Sequence, residues 1–407
     1  MNAKAVLKPN ANRQILLRHR AAKGFTPSFV LAFISMVFVG VHEFTENIFA
    51  EFFSPVNYAF TIAALAAIIF YQLYILLGFR YYKYKYLLTI GLLGILYFAL
   101  LYLFLFSGLT RALLLCSMLL NLLIYKQYKL TDSEKKKLYW IFVGLVIVML
   151  INGPIRGASY DNKVNPNTCG LLLMLLFCMS VVKYRNSKKV SDFAIALACF
   201  GLQFLYHSRT ATLGCVCFII FTFILCGKKK FFSSKSAALF ILLLSVISVL
   251  FAYWYTEYYY GGAGAGNDLL TGRQYIWDLA FKSIRENPWF GVGSDFNAEL
   301  AATNNNLALI NAHNQSLGLL TSFGVIAFVI FNLVFAYLVP RSCEIKTNRK
   351  KKLTYRLPII FIVCILIMNF AEANFFYSWS MVIMVAYCFI CNNCEKSVRL
   401  RYEPMVA

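Results

Sequence analysis

Long apolar runs alternate with short polar or basic stretches along almost the whole chain. Twelve runs, near residues 28–45, 56–79, 87–106, 109–125, 138–153, 168–182, 193–207, 211–227, 237–256, 316–339, 358–371 and 376–392, read as helices suited to a bilayer. About 20 apolar residues at helical rise cross roughly 30 Å of hydrocarbon. The pattern predicts an all-α polytopic bundle of about 12 transmembrane helices, a single integral membrane domain over residues 1–407.

Most connections between the runs are short, but the one from Glu257 to Gln315 spans nearly sixty residues, and loops of that size are usually functional. Inside it, Ile276, Trp277, Ala280, Phe281 and Ile284 recur at helical spacing while Asp278, Lys282 and Arg285 fall opposite. This predicts an amphipathic helix lying at the membrane surface. Thr271 and Gln274 fit a capping box at its start, where each would satisfy a backbone N–H that the helix leaves open. Asn287-Pro288 stops it and Gly291-Val-Gly293 turns the chain. The glycine-rich run at 261–266 has no strand before it and reads as a flexible linker rather than a nucleotide site.

Composition agrees with the pattern: 60% of residues are hydrophobic and 14% charged, too little charge for a soluble domain. The net charge of +22 would suit nucleic acid, but its distribution excludes that partner. With the N-terminus inside and twelve alternating spans, 32 of the 39 Lys and Arg fall on one side, and eleven of the seventeen Asp and Glu on the other. This is the asymmetry of cytoplasmic against outer loops, with some attraction to anionic membrane lipids. It predicts cytoplasmic termini and an outer loop at 257–315. The first 24 residues are basic and polar, without a cleavage site. None of the twelve cysteines lies in the long loop, so no disulfide framework is expected. The Cys391-Asn-Asn-Cys394 spacing lacks a second ligand pair, and neither a metal nor a cofactor is expected.

Four residues carry candidate chemistry. Arg209, in His-Ser-Arg-Thr-Ala-Thr-Leu-Gly at 207–214, stands between two apolar runs with no acidic residue within fifteen positions on either side. A guanidinium at membrane depth is costly unless something compensates it, and an anion from outside the chain would do so. Arg273 falls in the first turn of the amphipathic helix, where open N–H groups already favour an anion. His313 precedes the tenth run, and Glu372 is the sole carboxylate between the last two. The topology delivers all four to the outer face. Arginine forks bind phosphate oxygens and keep their charge, and a departing diphosphate needs positioned positive charge. His313 or Glu372 could take the proton from an attacking sugar hydroxyl. The reading is a metal-independent reaction on a sugar donor activated as a polyprenyl diphosphate.

These motifs resemble a known family. The Ser208-Arg209 pair opening a span, Gly272-Arg273 before a helix ending Asn287-Pro-Trp-Phe-Gly291-Val-Gly293, and His313-Asn314 entering the next span are similar, over residues 200–335, to the O-antigen ligase and O-antigen polymerase superfamily. The resemblance implies a GT-C-like glycosyltransferase of the bacterial cytoplasmic membrane. It would use an undecaprenyl-diphosphate-linked glycan donor and a glycan acceptor at the outer face, with Arg209, Arg273 and His313 as functional positions and a chain-length regulator as a candidate protein partner. Glu372 rests on the residue reading alone. A polymerase joining lipid-linked repeat units is the expected activity, with a ligase transferring glycan to a lipid core or a protein as the alternative. A glycolipid flippase is the alternative from another class; nearly charge-free spans and one long outer loop argue against it.

Overall fold

In a computed structural model the described residues are 25–48, 50–77, 109–153, 165–206, 208–225, 231–260, 273–293, 312–346 and 352–402. The helices among them are α1 (Pro27–Ile48), α2 (Ala50–Leu77), α3 (Leu109–Gln127), α4 (Asp132–Ile151), α5 (Pro166–Ser187), α6 (Val190–Tyr206), α7 (Arg209–Leu225), α8 (Ser234–Tyr260), α9 (Arg273–Glu286), α10 (Gln315–Ser342), α11 (Arg356–Met368) and α12 (Trp379–Tyr402). The apolar run at 87–106 and the Thr271 end of the expected capping box lie outside the described residues.

The remaining apolar runs fall on helices, so the helical, membrane-type architecture holds. Among the described residues, three helices have the length and composition to cross a bilayer: Pro166–Ser187, Ser234–Tyr258 and Gln315–Ser342. Helices α6, α7 and α11 are shorter. Helix α11 stops at Met368, where Asn369 donates its backbone N–H to Ile365 and the chain turns. Helices α6 and α7 run 17 residues each. The expected count of twelve spans therefore exceeds the three helices that meet both length and composition among the described residues.

Burial sorts the helices. In α5, every residue from Thr168 to Ser180 is buried, as is every residue of α12 from Met381 to Cys391. Helices apolar on all sides belong at the centre of a bundle. Helices α6, α7 and α8 instead leave Phe204, Phe223 and Leu250 exposed, the surface a bilayer covers.

The connections gather at two ends. At one, β1 (Phe231–Ser233), β2 (Glu344–Lys346) and β3 (Lys352–Tyr355) form an antiparallel sheet in the order β1-β3-β2. This small sheet is an addition to the expected all-helical fold, and it ties together two of the basic segments. At the same end Asn392 accepts the Leu130 N–H at 2.9 Å and Asn186 donates to the Asn393 carbonyl at 2.9 Å. At the other end, the Tyr206 hydroxyl donates to the Leu150 carbonyl at 2.8 Å, and the connections around 165, 208, 288–293, 313 and 372 come together.

Helix α10 is broken. Gly324 has φ 73° and ψ −179°, a conformation essentially restricted to glycine. The break frees backbone groups, and the Asn287–Gly293 motif takes them up. Val292 and Gly293 donate to the Thr321 and Ser322 carbonyls at 2.7 and 3.1 Å, and Val325 donates to the Pro288 carbonyl at 2.8 Å. A Cβ at Gly324 would stand 2.2 Å from the Trp289 carbonyl oxygen, and one at Gly291, where φ is +71°, 2.5 Å from that of Thr321. The two glycines permit this backbone-to-backbone contact. The motif expected only to stop a helix and turn the chain is a clamp on the broken helix, and Arg111 of α3 braces it through the Ser322 hydroxyl at 3.1 Å.

Candidate functional site

Helix α9 sets the site's first wall. Much of its apolar face, expected to lie at the membrane surface, packs on the ends of α8 and α10. Ile276, Trp277 and Ala280 are fully buried with Ala252, Tyr255, Ala312 and Leu317. The short loop helix has two protein surfaces within reach, and its stripe matches them. The Trp277 indole donates to the Ala312 carbonyl at 2.7 Å, which satisfies the one polar atom of a buried ring and fixes the residue before His313.

Asn314 fixes the residue after it. Its side-chain oxygen caps α10 by accepting the N–H groups of Ser316 and Leu317 at 2.9 and 3.0 Å, the usual role of an N-cap asparagine. Its amide donates to the Phe370 carbonyl at 3.0 Å and the Ser248 carbonyl at 3.3 Å. Gln315 donates its backbone N–H to the Asn369 carbonyl at 3.0 Å and accepts the Phe375 N–H at 3.0 Å. The segment after α11 is thereby laid against the start of α10, which brings Glu372 opposite His313. Held between these anchors, His313 is left-handed, with φ 43°. Such a conformation in a non-glycine residue persists only where the surroundings impose it.

Glu372 is the meeting point. Its Oε1 accepts from the Arg273 guanidinium at 3.0 Å and from the Asn167 amide at 3.3 Å, and its Oε2 lies 3.7 Å from His313 Nδ1. The side chains of Arg273, His313 and Glu372 are each 14–16% exposed, so solvent screens them less than an ordinary surface pair. The His313 separation exceeds a hydrogen bond by a few tenths of an ångström, a spacing common in unliganded sites that tighten on binding.

Arg209 begins α7 and is exposed. Among the described residues it makes no hydrogen bond or ion pair. Its neighbour Ser208 abuts the first turn of α5 so closely that a Cβ at Gly170 would lie 2.2 Å from the Ser208 Cβ. That turn also carries Asn167, bonded to Glu372. The first turn of α5 thus links the Arg209 position to the Arg273–Glu372–His313 cluster.

Arg273, His313 and Glu372 were each legible in the sequence as residues; their direct contact was not. Three contributors were missed as such: Asn167, Trp277 as a support for His313, and the multiple bonds of Asn314. The His313-Asn314 pairing was the signal for the last. Asn167 offered only a helix-start pattern, with Asn165 as N-cap and Pro166 behind it.

The site can present a guanidinium and an imidazole to one ligand, with a carboxylate orienting both. No curated protein and no solved structure matches the chain. Residues 193–332 match the family model described as O-antigen ligase. That stretch holds Arg209, Arg273 and His313 and stops short of Glu372. Through this central region, about a third of its length, the chain is similar to the O-antigen ligase family.

Proposed function

We propose that the protein is a bacterial surface-polysaccharide polymerase, of O-antigen or capsule type. It transfers an oligosaccharide from an undecaprenyl diphosphate to another lipid-linked repeat unit at the outer face of the cytoplasmic membrane. The observation that carries the reading is Glu372 set between Arg273 at 3.0 Å and His313 at 3.7 Å. It joins a phosphate-binding side chain to a potential base at the end of the bundle where Arg209 also lies.

In this reading Arg209 and Arg273 hold the donor diphosphate and stabilise its charge as the glycosidic C–O bond breaks. Glu372 accepts from one Arg273 nitrogen, which leaves the other donors of the fork for phosphate oxygens. The Glu372 carboxylate faces Nδ1 of His313, so Nε2 is the nitrogen offered to the acceptor. Neutral His313 takes the proton from the attacking sugar hydroxyl, and Glu372 stabilises the imidazolium that forms. Glu372 therefore acts through His313 and Arg273 as a positioning residue rather than as a second base. The chain's own residues supply charge and proton transfer without a metal.

The polymerase reading is favoured by the outer connections, short apart from the 257–315 loop, which give little room for a protein acceptor. A ligase is the second reading, favoured by the description of the matching family model. Purified protein given only lipid-linked repeat units separates them: a ladder of elongated lipid-linked products supports the polymerase. Turnover only after a lipid core or protein acceptor is added supports the ligase. The outer placement is tested by reporter fusions. Alkaline phosphatase joined after Gly293 should be active and after Lys346 inactive; the reverse would place the site in the cytoplasm, away from the proposed donor.

A further inference from the structure

At the end of the bundle opposite the site, α1 and α4 start side by side. Glu134 in the first turn of α4 accepts the Thr26 backbone N–H ahead of α1, and the same carboxylate closes a capping box with Thr131. Beside this shared start the two helices line an open cavity of about 840 Å³. Its walls are apolar, with Phe29 and Phe33 from α1 and Trp140 and Ile141 from α4; Phe33 and Trp140 are 43% and 50% exposed. Its mouth is basic, carrying Lys136 and Lys137.

The acidic groups near the mouth are already engaged. Asp132 pairs with Lys135 at 2.7 Å, and Glu134 is held by the Thr26 and Thr131 amides. Lys136 makes no hydrogen bond or ion pair among the described residues, and Lys137 lies 4.8 Å over the Phe25 ring. The mouth therefore carries uncompensated positive charge, and the chain that reaches it at Phe25 has six Lys and Arg in its first 24 residues. From Ser133 to Ile141 the groove follows about 12 Å of helix, close to the roughly 15 Å depth of one hydrocarbon leaflet.

We propose that this groove seats an anionic glycerophospholipid, its phosphate on Lys136 and Lys137 and an acyl chain along Phe33 and Trp140. A basic rim above an aromatic, lipid-facing slot suits a headgroup and tail together; neither a soluble phosphate nor an uncharged lipid would use both parts. The site is separate from the proposed reaction and does not depend on it.

The test uses the full-length protein in nanodiscs or detergent, with phosphatidylglycerol and phosphatidylcholine of matched chains. Native mass spectrometry should show phosphatidylglycerol bound about tenfold more tightly. The paired substitution Lys136→Gln with Lys137→Gln should remove that preference, and Trp140→Ala should weaken both lipids. Glycerol 3-phosphate, which lacks the chains, should not compete. Equal binding of the two lipids, or a preference that survives the paired lysine substitution, would overturn the proposal. So would displacement of phosphatidylglycerol by undecaprenyl phosphate at equimolar amounts, which would make the groove a polyprenyl site. Thermal stabilisation by phosphatidylglycerol serves as a second readout, which the paired substitution should also abolish.

Discussion

Glu372 accepts a hydrogen bond from Arg273 at 3.0 Å across 99 residues of sequence. Both side chains are largely withdrawn from solvent, and the same carboxylate turns its other oxygen to His313. Glu372→Ala should lower turnover by about 10²-fold, the scale of misplacing reacting groups by an ångström. Glu372→Gln keeps an acceptor for Arg273 and should recover part of that loss. Equal loss in both variants would make the charge itself, rather than the positioning, decisive.

For the arginines, charge and shape can be separated. Arg209→Lys and Arg273→Lys keep the charge but lose the planar fork. Each should weaken apparent donor affinity about tenfold or more, the worth of one hydrogen bond to a charged group. Membrane levels should stay normal for Arg209→Lys, because that side chain is exposed and bonds to no described residue. Wild-type affinity in both variants would remove diphosphate recognition from these residues.

Gly324 tests the clamp. A side chain there would meet the Trp289 carbonyl oxygen at 2.2 Å, and φ is 73°. Gly324→Ala should therefore separate the 288–293 segment from α10 and lower the melting temperature by about 5 °C or more. Substitution at Gly144, where nothing lies within 4 Å of an added Cβ, should leave it unchanged. If both variants melt alike, the clamp does not hold α10 in its broken form.

The sequence carried most of the helices and the chemistry-bearing residues because both leave local marks. Apolar runs mark helices, and an arginine between two such runs stands out. Its limits were physical. Span length read from hydropathy ran past the end of α11, because the turn at Asn369 is made by apolar and small residues that look like more helix. The stripe on α9 gave a helix correctly but not what it packs against, since lipid and the ends of α8 and α10 are equally apolar. Gly324 sits inside a continuous apolar run, so only the clamp's backbone bonds reveal the break. The Arg273–Glu372–His313 cluster unites residues far apart in sequence, and neither hydropathy nor charge pattern specifies such contacts.

Asn314 links three elements, and its removal should disturb His313 without touching substrate. Asn314→Ala leaves the Ser316 and Leu317 N–H groups and the Phe370 carbonyl without their partner. Loss of the cap alone costs about 1 kcal/mol. Turnover should fall while donor binding to the arginines persists. Unchanged turnover in a folded Asn314→Ala variant would show that the geometry around His313 is not needed.

The most direct measurement is turnover of a purified lipid-linked donor by His313→Asn, alongside donor affinity. Asparagine tolerates the left-handed backbone that His313 adopts, so the local fold should survive the change. The account predicts turnover lowered about 10²–10⁴-fold with donor affinity within about threefold of wild type, since the arginines carry binding. Near-normal turnover in His313→Asn would contradict it.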